Sequence, residues 1–437
     1  MMLKFLDGNN KNIFKKIENI STERKKLQEN KSAISKKIVT QVKKNKDKAI
    51  IKFEKRFNKI KNINKRNLIF SNKEIKKITK TLDKETKKSI DMAYQRLKKF
   101  HLHQKLKSFK MKDSFKNVLE YKSSPIESVG IYVPGGTASY PSSVLMSCIP
   151  AIVAGVKKIY MSTPALVNKP NPAVIYAAIK CGIREIYKVG GAQAIAGLAY
   201  GTSIIKKVDK IVGPGNAFVV SAKKEVFGDV GIDMIAGPSE VTVVADKYSN
   251  PDWIAADLIA QAEHDKFSQS ILISNDINLI KNINLIIKKQ LSTLPKKKIA
   301  YNSLKRFGYT LFAKNYSQTI KIINSIAPEH LELNLQRPNR ILKGVKNAGS
   351  IFIGKFSPEA IGDYLAGPNH ILPTTSSAKF SSGLSVFDFI KRHSLIKISK
   401  TGIERLGPSV INLARYENLE GHAKSVEIRL NKYKRNK

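Results

Sequence analysis

The spacing of apolar residues changes near residue 120. Before it, apolar positions recur three and four apart among many lysines, as at Ile75, Ile78 and Leu82, which predicts a mostly helical opening. After it, short apolar runs end in Gly or Pro. ESVGIYVPGG reads as a buried strand entering a turn, and PSSVLMSCIPAIVAGV reads as the helix that follows. KKIYMSTPA, REIYKVGG and DKIVGPG repeat the pattern, and this alternation predicts a parallel α/β sheet. A second set begins near 240, with EVTVVAD, SQSILISND, GYTLFAKN and GSIFIG as strands and DWIAADLIAQAEHD and YSQTIKIINSIA as helices. Two α/β units in tandem are therefore expected, divided around DMIAGPSE, where Gly237 and Pro238 interrupt regular structure. Beyond about 380 a Ser-rich loop leads into a short helical tail that is too small to fold alone and is expected to pack on a partner.

Length and composition leave room for an enzyme. The chain has 437 residues, 42% of them hydrophobic, and no apolar run approaches the roughly 18 residues of a membrane-spanning helix. Asp7 and its polar neighbours stand where an export signal would need its apolar stretch. Cys148 and Cys181 form neither a disulfide framework nor a C-x-x-C pair, and together these features predict a cytoplasmic protein with no membrane association. The formal net charge of +44 would attract polyanions at low salt. However, the lysines run along nearly the whole chain in company with Ile and Asn, and no nucleic-acid motif accompanies them. No specific nucleic-acid partner is expected.

Several segments carry candidate chemistry. IVGPGNAF follows a strand and opens a helix, so its N–H groups could receive a phosphate, but Phe218 stands where the third glycine of a dinucleotide fingerprint belongs. A plain tight turn is the competing reading. VGGAQAIAG and GIYVPGGTASYPSS are further Gly-rich strand ends on the edge where open α/β sheets bind ligands. Gln261 and His264 lie three apart on a predicted helix and could reach one metal. In SIAPEHLEL, the acid Glu329 and the imidazole His330 follow Pro328, in or just before the first turn of an expected helix, and suit proton transfer near neutral pH. GDYLAGPNHILPT reads as a loop carrying Asp363, Tyr364 and His370, and the tail adds Glu417 and His422. His101, His103 and His393 read as surface residues.

Taken together, IYVPGG, YPSSVLM, VGGAQAIA, GPGNAFV, AGPSEV, QAEHD, APEHLEL, GDYLAGPNHILPT and ENLEGHA resemble the histidinol dehydrogenase family in both residues and order, from about 120 onward. The resemblance implies two Rossmann-like parallel-sheet units in tandem, with a helical N-terminal segment and a small C-terminal tail domain. The implied division is an N-terminal arm at 1–25, a substrate and metal domain at 26–130 and 239–382, an NAD-binding domain at 131–238, and a tail at 383–437 exchanged in a homodimer. It implies oxidation of L-histidinol through L-histidinaldehyde to L-histidine, with two NAD reduced and one zinc ion per subunit. Gln261, His264, Asp363 and His422 would hold the zinc. His330 would take protons during the hydride steps, and Glu329 would activate the water that adds to the aldehyde. Ser239, Gln261, His264, His330, Asp363, Tyr364, His370, Glu417 and His422 would surround the substrate, and Tyr132, Gln193 and Asn216 the NAD. Other classes remain open on the residues alone: a metal-dependent hydrolase, a basic polyanion-binding protein and an inactive homologue.

Overall fold

A computed structural model describes residues 2–29, 32–135, 140–165 and 170–434. Residues 136–139, the middle of the GIYVPGGTASYPSS run, lie outside them. In chain order the strands are β1 (Lys4–Asp7), β2 (Phe109–Lys112), β3 (Val118–Pro125), β4 (Ser128–Tyr132), β5 (Lys158–Ser162), β6 (Ile186–Tyr187), β7 (Lys210–Val212) and β8 (Gly231–Ile232). They continue with β9 (Glu240–Ala245), β10 (Gln269–Ser274), β11 (Gly308–Phe312), β12 (His330–Asn334), β13 (Ser350–Ile353) and β14 (Ile390–Lys397).

The expected tandem of parallel sheets is present. Five strands form one sheet in the order β6-β5-β4-β7-β8, and six form another in the order β1-β11-β10-β9-β12-β13, with every pairing in both parallel. Each is wound outward from its first central strand in both directions, so strand order reverses between β4 and β7 in one sheet and between β9 and β12 in the other. β9 and β10, EVTVVA and QSILIS, are buried at every position because helices cover both faces. On one face Val241 and Val243 join Ile254, Leu258 and Ile283. On the other, Val244, Leu331 and Leu333 join Ile13 and Ile17 of the first helix, α1 (Ile13–Glu29).

Two compact units divide the chain: 1–104 with 127–388, and 105–126 with 389–437. Within the second, β14, β3 and β2 make an antiparallel sheet and the helices Lys400–Tyr416 and Glu420–Lys434 pack on each other. The opening residues thus contain more strand than their helical spacing predicted: β1 adds to the edge of the larger sheet through Lys4↔Tyr309, and β2 and β3 pair beside β14. Four-residue runs such as KFLD and FKMK are too short to carry a period, and their pairing partners lie far away in sequence.

One strained position lies in the helix α2 (Ser32–Asn58), which bends at Lys46 with φ 49° and ψ −128°. An L-residue with a Cβ is disfavoured there, at about 1–3 kcal/mol, whereas glycine is not. Among the described residues, Lys46 Nζ gains an exposed hydrogen bond to the Tyr200 carbonyl, 3.0 Å. Lys46→Gly is expected to stabilise the protein by about 1 kcal/mol, read as a raised melting temperature in thermal denaturation; an unchanged or lowered value would contradict the strain assignment.

Candidate active site

The acid–imidazole pair is built on the larger sheet. His330 opens β12 and Glu329 precedes it, so the expectation of a helix at this point is corrected: HLELN alternates polar and apolar residues with the period of a strand. Leu331 and Leu333 turn into the core with α1, while His330 and Glu332 face the helix Pro251–Ala262. Register places His330 beside Val241 at the amino end of β9. Both catalytic candidates therefore stand at the amino edge of this sheet. At its carboxyl edge the switch between β9 and β12 is bridged by the chain's own hydrogen bonds, Ser249 Oγ to the Asn334 carbonyl (2.6 Å) and the Gln336 N–H to Asp246 (2.9 Å).

One residue, Glu240, contacts both candidates through its backbone. Its N–H donates to Glu329 Oε2 at 2.8 Å, and its carbonyl lies 3.1 Å from His330 Nδ1. A carbonyl can only accept, so this contact places the proton on Nδ1 and leaves a lone pair on Nε2. Nε2 is buried without a hydrogen-bond partner among the described residues and lies 3.9 Å from Asp363 Oδ1. Burial lowers the His330 pKa to about 4 against the opposing pull of Asp363, so the imidazole is neutral and able to accept a proton at pH 7. Burial, and then the charge of Glu240, raises Glu329 well above the carboxylate range.

Around this pair the predicted metal-binding residues converge in part. Gln261 occupies the last turn of its helix, fully buried, and His264 follows in the turn beyond it, exposed. The Gln261 amide nitrogen, assigned from its surroundings, faces the two Glu359 oxygens at 3.0 and 3.3 Å and the Glu240 carbonyl at 3.3 Å. Donor atoms of His264, Glu359 and Asp363 all lie within 4.8 Å of one another. Glu359 was not singled out in the sequence. Its signal is weak, one glutamate four residues before Asp363, and the short helix Glu359–Tyr364, which runs into the segment read as loop, brings both carboxylates to the cluster. Burial, and then Asp363, pushes Glu359 well up, as expected where acids crowd a site for a cation. His370 Nδ1 meets the Asp363 carbonyl at 2.9 Å, and burial lowers its pKa. A cavity of about 320 Å³ opens here, lined by His330, Phe352, Asp363, Asn369 and His370 among others. Ser239 immediately precedes Glu240, and Tyr364 is largely exposed. Glu417 and His422 belong to the second unit and are exposed.

The dinucleotide candidates gather at the carboxyl edge of the five-stranded sheet. Tyr132 ends β4 and its hydroxyl accepts the Gly191 N–H at 3.0 Å; burial raises its pKa to about 12, so it stays neutral. The Gln193 amide donates to Glu54 Oε1 at 2.8 Å, and Asn216 caps the helix Ala217–Val226 by accepting from Phe218 and Val219. Gly213, at φ 119°, passes so close that a Cβ there would lie 2.1 Å from the Tyr132 carbonyl oxygen. Tyr132 and Asn216 thus flank the point where strand order reverses. Of the three histidines read as surface residues, His103 and His393 are exposed, but His101 is wholly buried. Its helix turns that position inward, and Nδ1 is satisfied by Gln104 at 2.8 Å.

Residues 21–430 match the histidinol dehydrogenase family model. The chain belongs to the histidinol dehydrogenase family. Histidinol dehydrogenase of Pelagibacter ubique (strain HTCC1062) is 56% identical over 433 residues, 98% of this chain and 99% of the relative. That of Brucella abortus (strain 2308) is 49% identical over 394 residues, 90% and 91% of the two chains. The crystal structure of histidinol dehydrogenase from Elizabethkingia anophelis superposes with a TM-score of 0.90 at 36% identity, covering 99% of both chains. The family match therefore extends across the helical opening, where the sequence motifs are sparse.

His264→Ala and Asp363→Ala are each expected to lower metal content by at least tenfold, because a small donor set loses one ligand, while His330→Asn keeps the metal. Metal analysis of the purified variants checks this, and full metal retention in the first two would sink the donor assignment.

Proposed function

We propose that the chain oxidises L-histidinol through L-histidinaldehyde to L-histidine, reducing two NAD, in the last step of histidine biosynthesis. The observation that carries this reading is a neutral imidazole and a buried carboxyl, held by one backbone unit, beside a cluster of metal donors. A zinc ion, one per subunit, suits a set with imidazole nitrogen and carboxylate oxygen donors. Gln261, His264 and Asp363 would hold it with His422 of a second copy, and Glu359 orients the Gln261 amide. Tyr132, Gln193 and Asn216 would contact NAD, at an edge where the Gly213 backbone closes against the Tyr132 carbonyl as only glycine can. When bound, the metal supplies a fixed positive charge that orients the substrate, and the dinucleotide accepts the hydride.

The remaining chemistry belongs to the side chains. His330 Nε2 takes the hydroxyl proton as the first hydride leaves carbon. Glu329, once ionised, removes a proton from the water that adds to the aldehyde, and His330 serves again as the hydrate is oxidised. Ser239, Tyr364, His370 and Glu417 complete the substrate's surroundings. This reading also divides the chain by role: residues 131–238 for NAD, 26–130 and 239–382 for substrate and metal, 1–25 as an arm and 383–437 as a tail.

The protein acts as a cytoplasmic homodimer in which the tail of one copy completes the site of the other. In support, the tail exposes the large apolar residues Ile396, Leu413, Tyr416 and Ile428 along with Glu417 and His422. No helix among the described residues is long and apolar enough to cross a membrane.

Zinc-loaded protein is expected to yield two NADH per histidinol, measured by absorbance, with activity abolished by chelation and restored by zinc. One NADH per histidinol would remove Glu329 from its role, and none would refute the reaction. Tail exchange has its own test: His330→Asn and His422→Ala, each inactive alone, should regain up to about a quarter of wild-type activity when co-refolded as mixed dimers, because one site per mixed dimer is intact. No recovery would argue against a shared site.

A further inference from the structure

We infer that Arg24 is a positioning residue for the catalytic pair and acts through Glu240; the inference rests on the assignment of Glu329 and His330 above. Arg24 lies on α1, more than two hundred residues from any of these side chains in sequence, and is 1% exposed. Its guanidinium pairs with the Glu240 carboxylate and donates to the carbonyls of Pro238 (2.5 Å) and Ser239 (3.2 Å) and to Gln269 Oε1 (3.2 Å). The other Glu240 oxygen accepts the Thr375 N–H at 2.9 Å. Thr375 and Ser376 are both left-handed, with φ 54° and 64°, a conformation costly for a β-branched residue and retained only where the surroundings fix it. Ser376 in turn meets Ser21 of α1 at 3.1 Å.

Glu240 is therefore gripped from two sides, and it is the residue whose N–H holds Glu329 and whose carbonyl holds His330. Stability is a poor explanation for the grip. A buried ion pair repays its desolvation only with complete hydrogen bonding, yet Arg24 Nε and Gln269 Nε2 have no hydrogen-bond partner among the described residues. What a guanidinium supplies is a rigid planar fork that fixes residues 238–240 relative to α1. Any shift of that segment carries Glu329 and His330 with it, and a displacement of about 1 Å at a reacting group can cost on the order of 10²-fold in rate. Lysine could meet the Glu240 carboxylate but has no fork to span both carbonyls.

The test uses the metal-loaded, full-length enzyme with Arg24→Gln and Arg24→Lys, recording kcat and KM for histidinol and NAD, metal content and melting. Arg24→Gln should lower kcat by about 10–100-fold with both KM values within about twofold of wild type and metal unchanged, and Arg24→Lys should fall between. Wild-type kcat in both variants would overturn the inference, as would a loss of activity that parallels loss of folded or metal-loaded protein in both. His330→Asn, measured alongside, separates the two levels. Full activity in that variant refutes the catalytic assignment itself, whereas an impaired His330→Asn beside fully active Arg24 variants refutes only the role of Arg24.

Discussion

The parallel pairing of β9 with β12 sets the geometry on which the site depends. Because His330 lies beside Val241, the first residue of each strand reaches the same edge, and the Glu240 peptide groups meet Glu329 and His330 directly. A slip of one residue would turn His330 into the apolar face now occupied by Leu331 and Leu333. Register is fixed by those leucines, so the hydrophobic core determines where the imidazole stands.

The chemistry of this edge follows from crowding acids in a place that excludes water. Glu240, Glu329, Glu332 and Glu359 are all nearly fully buried, in a chain whose formal net charge is +44. Among the described residues Glu240 pairs with a cation, Arg24, while Glu329 and Glu359 are displaced upward by burial and by neighbouring carboxylates. A cation among His264, Glu359 and Asp363 would relieve that repulsion, which is the electrostatic case for a metal here. Glu332 lies one step further back, where it accepts the Glu359 N–H at 2.6 Å and shares the interior with Asp257.

The two parallel sheets have the same winding but present their candidate site residues at opposite edges. The smaller sheet presents its carboxyl edge, where Tyr132 and Asn216 flank the reversal of strand order and Gly213 lets the backbone segments approach. In the larger sheet the corresponding crevice is bridged by Ser249 and Asp246, and the acid–imidazole pair occupies the amino edge. A rule about sheet edges points to the location of Tyr132 and Asn216 and away from that of the acid–imidazole pair.

Much of this was legible in the sequence because it is local. Strand–turn–helix alternation specified two parallel units, and a plain tight turn is one of the two readings of IVGPGNAF, where Gly213 closes on Tyr132. The resemblance singled out Gln261, His264, Glu329, His330 and Asp363, which the fold gathers around one edge. Other features required tertiary structure. The place of HLELN between β9 and β13 and the formation of β1 to β3 depend on partners distant in the chain. Glu359 entered the donor cluster through a helix too short for its periodicity to be read, His101 was buried by the packing of its own helix, and Arg24 reached Glu240 across 216 residues. Sequence pattern records which residues share a face of one element. Which elements meet, and in what register, is decided by burial and hydrogen bonding between distant segments, and that decides where charges are desolvated and which atoms come within reach.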